Sequence, residues 1–476
     1  MSLWSRVRAT PIFLKGGIYL SSSFLSQGVM FTAWLLLPWK LTAEEIGQFA
    51  LLSFVIELLT RLTVMGTDSA LLRFYVDQNR RPKVLAAVLV LLAVGGTLAI
   101  LVLALTWNIV PAVLGGLALV YHQFAVLGLL VAIVAAVANT TLAHYIASHE
   151  AGRFGWLNTL RSLLLAAGYV LGAWSGCGIY GLLVSQLVSG STVIACFCFS
   201  RPWQAQSFQP KRENIYALFA YGSPMLAYGI FATISDYSSR LVLESRVTLA
   251  TIGVFQFYYQ IVTQINGVWS SINRAWTPHV FKHLDAEPAQ AFLQITQFSL
   301  WGTLSCAAGI MVVMLLSLAG LWSAIIPSIY AARIDLFFLL LLGPLFCAIY
   351  TAIFPVFYFE KDTIRISLTQ SLMSLLTIGL TLFFTIRFKS EGAVLSWVLS
   401  SFLTPFLYVS CFPKIRARLK DSLLILLFWG VAASAMIFAL LRLHSTLLAI
   451  AALLAGAAGV GILGRRIFTK KHLSAF

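Results

Sequence analysis

Fourteen long apolar runs follow one another between residues 13 and 464, separated by short polar connections. Water cannot host so much apolar surface in one domain, whereas a bilayer requires it: about 20 apolar residues in helix cross the hydrocarbon core. In lipid each run must satisfy its own backbone hydrogen bonds, which selects helices. The runs predict helices over 13–38, 46–72, 83–106, 122–148, 155–174, 178–199, 213–238, 250–273, 290–318, 334–358, 364–386, 392–412, 421–441 and 445–464. Charged residues make up 10% of the chain, against about 25% in a soluble domain.

The chain also repeats itself. Thr42–Phe49 reads TAEEIGQF, and 206 positions later Thr248–Phe255 reads TLATIGVF. Each copy closes a short loop and opens an apolar run. Two shorter apolar stretches, 109–120 and 321–331, occupy matching places after the third and ninth runs and read as interfacial or re-entrant pieces. The expected fold is an all-α polytopic membrane protein of about 14 transmembrane helices. Two six-helix bundles, 1–200 and 201–412, are expected to be related by a pseudo-twofold along the membrane normal. Two accessory helices and a basic cytoplasmic tail fill 413–476. A duplicated membrane unit suits a transporter that works by alternating access.

The net charge of +16 follows topology. With the N-terminus inside, the inner segments and adjoining helix ends hold 24 Lys and Arg. The outer segments hold seven: Lys40, Arg240, Arg246, Arg333, Arg387, Lys389 and Arg442. Arg61 lies within a run. This asymmetry places both termini in the cytoplasm and requires an even number of crossings. Basic inner loops also suit anionic headgroups, and no nucleic-acid partner is implied. The first run is long enough to stay as a helix, so a cleaved secretion signal is not expected. The six cysteines form no CxxC pair and no cluster with metal spacing, and read as small hydrophobes. No GxxxxGK[ST] phosphate loop occurs, and no connection is long enough for a catalytic domain. The chemistry on offer is binding and movement, without a cofactor.

Charge inside the runs marks the candidate site, because an ionised side chain at mid-bilayer costs about 2.5–3.5 kcal/mol and needs a partner or water. In the second run Glu57 and Arg61 stand one turn apart and either pair with each other or line a polar lumen. Asp68 falls on the same face, seven residues or about two turns beyond Arg61, and Arg73 follows near the inner mouth, where a long side chain snorkels cheaply. In the seventh run Asp236 and Arg240 form an outer-rim salt bridge or an outer gate, or Arg240 is a second arginine presented to the same ligand. The eighth run carries Gln256, Gln260 and Gln264 every four residues, with Ser271 and Arg274 roughly continuing the row. That stripe is either interhelical glue or a lumen wall for a hydroxyl-rich ligand. Tyr258 and Tyr259 either stack on a sugar ring or pack. Ser21, Ser22, Ser23 and Gln27 supply polarity in the first run. The polar lumen is therefore expected from the first, second, seventh and eighth runs. Arg61, Arg240, Gln256, Gln260, Gln264 and Arg274 are the candidate substrate-binding residues; Glu57, Asp68, Arg73 and Asp236 are the candidates for coupling or gating.

EEIGQF at Glu44–Phe49, DSALLRFY at Asp68–Tyr75, TIGVFQFYYQI at Thr251–Ile261, AWTPHVF at Ala275–Phe281 and VFYFEKDT at Val356–Thr363 occur in this order. With them the chain resembles the polysaccharide-export flippases, the O-antigen and capsule translocase type, of the multidrug/oligosaccharidyl-lipid/polysaccharide exporter superfamily. The resemblance implies movement of a lipid-diphosphate-linked oligosaccharide from the inner to the outer leaflet of a bacterial inner membrane. It also implies cationic lumen residues for the diphosphate, which Arg61 and Arg240 fit, and partners among membrane lipids and polysaccharide assembly proteins. Outward transfer of negative charge is favoured by about 2.3 kcal/mol per charge per 100 mV, and Glu57 is the candidate for ion coupling. The rival readings are a drug or organic-cation exporter, a peptidoglycan-precursor flippase and a membrane glycan polymerase.

Overall fold

The computed structural model describes residues 11–75, 81–113, 115, 118–148, 150–200, 211–359, 363–412 and 418–473. Among them all regular structure is helical. In chain order the helices are α1 (Pro11–Leu36), α2 (Ala43–Val64), α3 (Thr67–Phe74), α4 (Arg81–Thr106), α5 (Ile109–Val113), α6 (Ala118–Ala147), α7 (Ala151–Trp174), α8 (Gly178–Ser200) and α9 (Arg212–Glu244). They continue as α10 (Leu249–Ala286), α11 (Pro288–Leu318), α12 (Trp322–Ile325), α13 (Ser328–Ala331), α14 (Ile334–Leu340), α15 (Leu342–Phe359), α16 (Thr363–Cys411), α17 (Lys420–Leu441) and α18 (Thr446–Leu473).

Eleven segments among the described residues are long and apolar enough to cross a membrane. One of them, Arg365–Cys411, contains two expected runs, because α16 is two helices meeting at Lys389 (φ 52°, ψ −127°). α7 and α10 are helical but fall outside the eleven. These two carry Asn158 and Arg161, and the glutamine row, so polar side chains lower their hydropathy. The fourteen expected runs are thus all helical. Among the described residues, the short stretches 109–120 and 321–331 hold the short helices α5, α12 and α13 and the first residues of α6. Large apolar side chains such as Leu105 and Leu171 remain exposed on the outer faces, as a lipid solvent allows. The protein is an all-α, multi-pass membrane protein.

The second run departs from expectation in one respect. Thr42 caps α2 through a reciprocal box with Glu45. Its other end stops at Met65 and Gly66, both left-handed with φ 49° and 71°. Gly66 also lies against the backbone of Gly222, where a Cβ would collide. The helix expected over 46–72 is therefore α2 and α3 with a break between them.

The chain forms two compact units, Met1–Phe257 and Tyr258–Phe476. In the first, Ala70, Leu71, Val88, Leu91, Ala143 and Leu218 join α3, α4, α6 and α9 in one core. Leu142, Tyr145, Phe154, Leu157 and Val193 join α6, α7 and α8 in another. Here too the two copies of the repeated motif meet. Ile46, Phe49, Ile252 and Phe255 are all buried, and Gly47 lies against the backbone of Leu249 and Gly253. In the second unit Val280, Ile295, Ile353, Phe357, Tyr408 and Val409 form the core where α10, α11, α15 and α16 converge.

Candidate functional site

The first unit collects the charge that lies within its apolar runs. Arg61 Nη2 lies 2.6 Å from Glu57 Oε1, one helical turn away, with side-chain exposures of 44% and 36%. The two residues pair, as the first of the two readings has it, and both side chains stay partly accessible. The stem of Arg61 rests on α9, where a Cβ on Gly229 would fall 3.3 Å from Arg61 Cδ. Asp236 sits two turns further along that helix, exposed, and within electrostatic reach of Arg240, Arg61 and Glu57. Phe54 and Tyr237 fasten α2 to α9 beside it, with ring centroids 5.7 Å apart.

Arg240 behaves differently from Arg61. It is 1% exposed. Its Nε donates to Gln256 Oε1 at 2.9 Å, and Nη1 donates to the main-chain carbonyl of Asp236. Its guanidinium also lies over the rings of Tyr237 and Phe255, 5.2 and 5.4 Å from their centroids. Neither a simple rim salt bridge nor an open ligand-binding cation describes it: Arg240 is clamped in the protein. Gln256, 0% exposed, is the acceptor of that clamp and belongs to no lumen wall here.

A third cation joins them. Arg161 donates from Nη1 to Asn139 Oδ1 at 2.7 Å and lies within electrostatic reach of Glu57. The sequence reading counted it among topological charges. The available signal was its position ten residues into α7, about 15 Å along the axis. Nearby polarity comes from α1 and α7, where Asn158 Nδ2 donates to Ser26 Oγ at 3.0 Å.

The remaining described candidates have other partners. Asp68 is on α3, beyond the break, so the seven-residue spacing from Arg61 no longer places it on the same face. Its Oδ1 accepts the amide of Ser69 at 2.7 Å. Arg73 lies over the ring of Tyr221 at 5.0 Å. In the second unit Gln264 Nε2 donates to the main-chain oxygen of Gln260 at 3.3 Å, and Gln260 Oε1 accepts from Thr263 at 3.2 Å. Both glutamines are half-buried. Tyr258 is a packing residue: its hydroxyl donates to the carbonyl of Tyr330 at 2.7 Å and its ring stacks on Phe337. Tyr259 packs edge-on to Trp397. The Arg274 side chain lies outside the described residues. All six cysteines are free thiols.

No curated protein sequence matches the chain significantly. Among solved structures it is similar to "Lipid II flippase MurJ, inward closed conformation", with a TM-score of 0.64 and 13% identity over 96% of this chain and 99% of that one. It is also similar to an inward-facing multidrug resistance MATE family transporter of the MOP superfamily, with a TM-score of 0.63 and 15% identity over 85% of this chain and 99% of that one. Identities this low establish a shared fold. The family model described as "Polysaccharide biosynthesis protein" matches residues 13–283, more than half the chain. The chain belongs to the polysaccharide biosynthesis protein family.

Proposed function

We propose that this protein is a flippase that carries a lipid-diphosphate-linked oligosaccharide from the inner to the outer leaflet by alternating access, in cell-surface polysaccharide assembly. The observation that carries the reading is the charge balance of the cluster: Arg61, Arg161 and Arg240 stand against Glu57 and Asp236. An excess of cation suits a diphosphate, whereas an organic-cation exporter wants the opposite sign. Arg61, solvent-accessible and paired with Glu57, is the cation that exchanges its carboxylate for the diphosphate. Glu57, once released, is the group available for proton or sodium coupling. Gln260, Gln264 and Arg274 are proposed to meet the sugar or diphosphate during the cycle, with Asp68 and Arg73 at the inner mouth. The family and the fold both support a transporter in place of an enzyme.

The same reading divides the chain into bundles 1–200 and 201–412 with an accessory segment 413–476. It places the protein in a bacterial inner membrane with both termini cytoplasmic, among lipids and polysaccharide assembly proteins. A peptidoglycan-precursor flippase is the second reading, favoured by the likeness to a lipid II flippase over 96% of the chain. Reconstituted vesicles test both. Wild type is expected to move lipid-linked oligosaccharide to the far leaflet and Arg61→Ala to lose at least about tenfold of that rate, the share of one charge-assisted contact of about 1.4 kcal/mol or more. Unchanged transport in Arg61→Ala removes this residue from the mechanism, and movement of lipid II alone selects the second reading.

A further inference from the structure

The positive-inside count leaves four cations at the outer end of the second unit: Arg333, Arg387, Lys389 and Arg442. All four line one cavity of about 860 Å³, between the start of α14, the turn inside α16 and the end of α17. Two carboxylates share it. Arg333 takes both, with Nε 3.4 Å from Asp335 Oδ1 and Nη2 2.5 Å from Glu391 Oε1. Four cations less two carboxylates leaves an excess of +2. Arg387, Lys389 and Arg442 are exposed and form no ion pair among the described residues. Lys389 moreover holds its place at φ 52°, a left-handed conformation that glycine would adopt more cheaply.

The cavity does not end at the charges. Leu395, Ser434 and Ile437 line it and equally line a second cavity of about 390 Å³. That neighbour is almost wholly apolar, walled by Phe384, Phe402 and Val431 along α16 and α17. A cationic basin thus opens into an apolar groove between two membrane-spanning helices.

We infer that this composite cavity binds an anionic phospholipid of the outer leaflet, its phosphate headgroup among Arg387, Lys389 and Arg442 and an acyl chain in the groove of α16 and α17. Charge complementarity joined to apolar continuity selects this occupant. A soluble anion would leave the groove empty, and a zwitterionic lipid would leave the cationic excess unmet. The inference concerns the second unit alone and stands apart from the transport reading.

Native mass spectrometry of the full chain, reloaded from vesicles of phosphatidylglycerol, of phosphatidylcholine, or of either with lipid-linked oligosaccharide, tests it. Wild type is expected to retain phosphatidylglycerol in preference to the others, and inorganic phosphate is expected not to displace it. The variant Arg387→Gln/Lys389→Gln/Arg442→Gln is expected to lose that preference by about a hundredfold. Ser434→Trp, which fills the junction and leaves every charge, is expected to release the lipid as well, and it decides the matter if the triple variant fails to fold. Equal retention of both phospholipids, retention in Ser434→Trp, displacement by inorganic phosphate, or preference for the lipid-linked oligosaccharide would each overturn the assignment.

Discussion

Gly47 and Gly253 meet backbone to backbone at the first turns of α2 and α10. A Cβ on Gly253 would run into the carbonyl of Ala43 and lie 3.0 Å from the amide nitrogen of Gly47. These are corresponding glycines of the repeated motif, and each helix is capped by the corresponding threonine: Thr42 Oγ1 accepts from Glu45 at 3.2 Å and Thr248 Oγ1 from Thr251 at 3.4 Å. Gly253→Val is expected to push the two helix ends apart and cost about 1–3 kcal/mol, as overpacking does. Thermal unfolding of the purified protein in detergent reads the cost. A variant as stable as wild type would mean that the crossing relaxes freely.

The clamp on Arg240 predicts non-additive energetics. Gln256→Leu strips an acceptor from a buried guanidinium and is expected to cost about 1–3 kcal/mol. Arg240→Met with Gln256→Leu removes both partners, and the double variant is expected to recover part of that loss. Additive losses in a double-mutant cycle would show that the two side chains are not coupled.

Arg161 is expected to act with Arg61 on the anionic part of the cargo. Arg161→Ala should raise the substrate concentration needed for half-maximal flipping by about tenfold, one charge-assisted contact, with Arg161→Lys intermediate. Loss of maximal rate at unchanged half-saturation would assign Arg161 to the conformational cycle and not to binding.

One titration outside the membrane spans bears on stability. α10 has 38 residues, about 57 Å of helix, so its C-terminal part projects past a hydrocarbon core of about 30 Å. His279 there is held below the usual imidazole value of 6.5, first by burial and then by the neighbouring His283. A depressed value means the folded state resists the proton that the unfolded chain accepts. Stability contributed by neutral His279 is therefore present above pH 6.5 and declines as pH falls below it. His279→Gln is expected to flatten the unfolding temperature between neutral pH and the acid side of 6.5. A pH profile identical to wild type would free His279 of this role.

Much of the architecture was legible in the residues, because a bilayer imposes one requirement everywhere: each crossing needs a long apolar helix. That requirement made all fourteen runs visible, including α7 and α10 with their polar faces. The pairing of Glu57 with Arg61 was legible too, since helical spacing alone brings residues four apart together. Asp68 was misplaced because nothing in local periodicity announced that Met65 and Gly66 would both turn left-handed. Arg161 was passed over because a charge counted for topology looks the same as one drawn into a cluster.

Chain order and composition thus determined the membrane class, the helices and the doubling of the Thr-capped motif, all properties of short segments in contact with a uniform solvent. Only the tertiary structure decided which charges are shared. Arg61, Asp236 and Arg161 come from three helices far apart in sequence, and Arg240 is buried by Gln256, Tyr237 and Phe255. Arg333, Arg387, Lys389 and Arg442 of the second unit gather around one basin for the same reason. Helix packing sets those distances, and electrostatic interaction falls with distance in space, not along the chain.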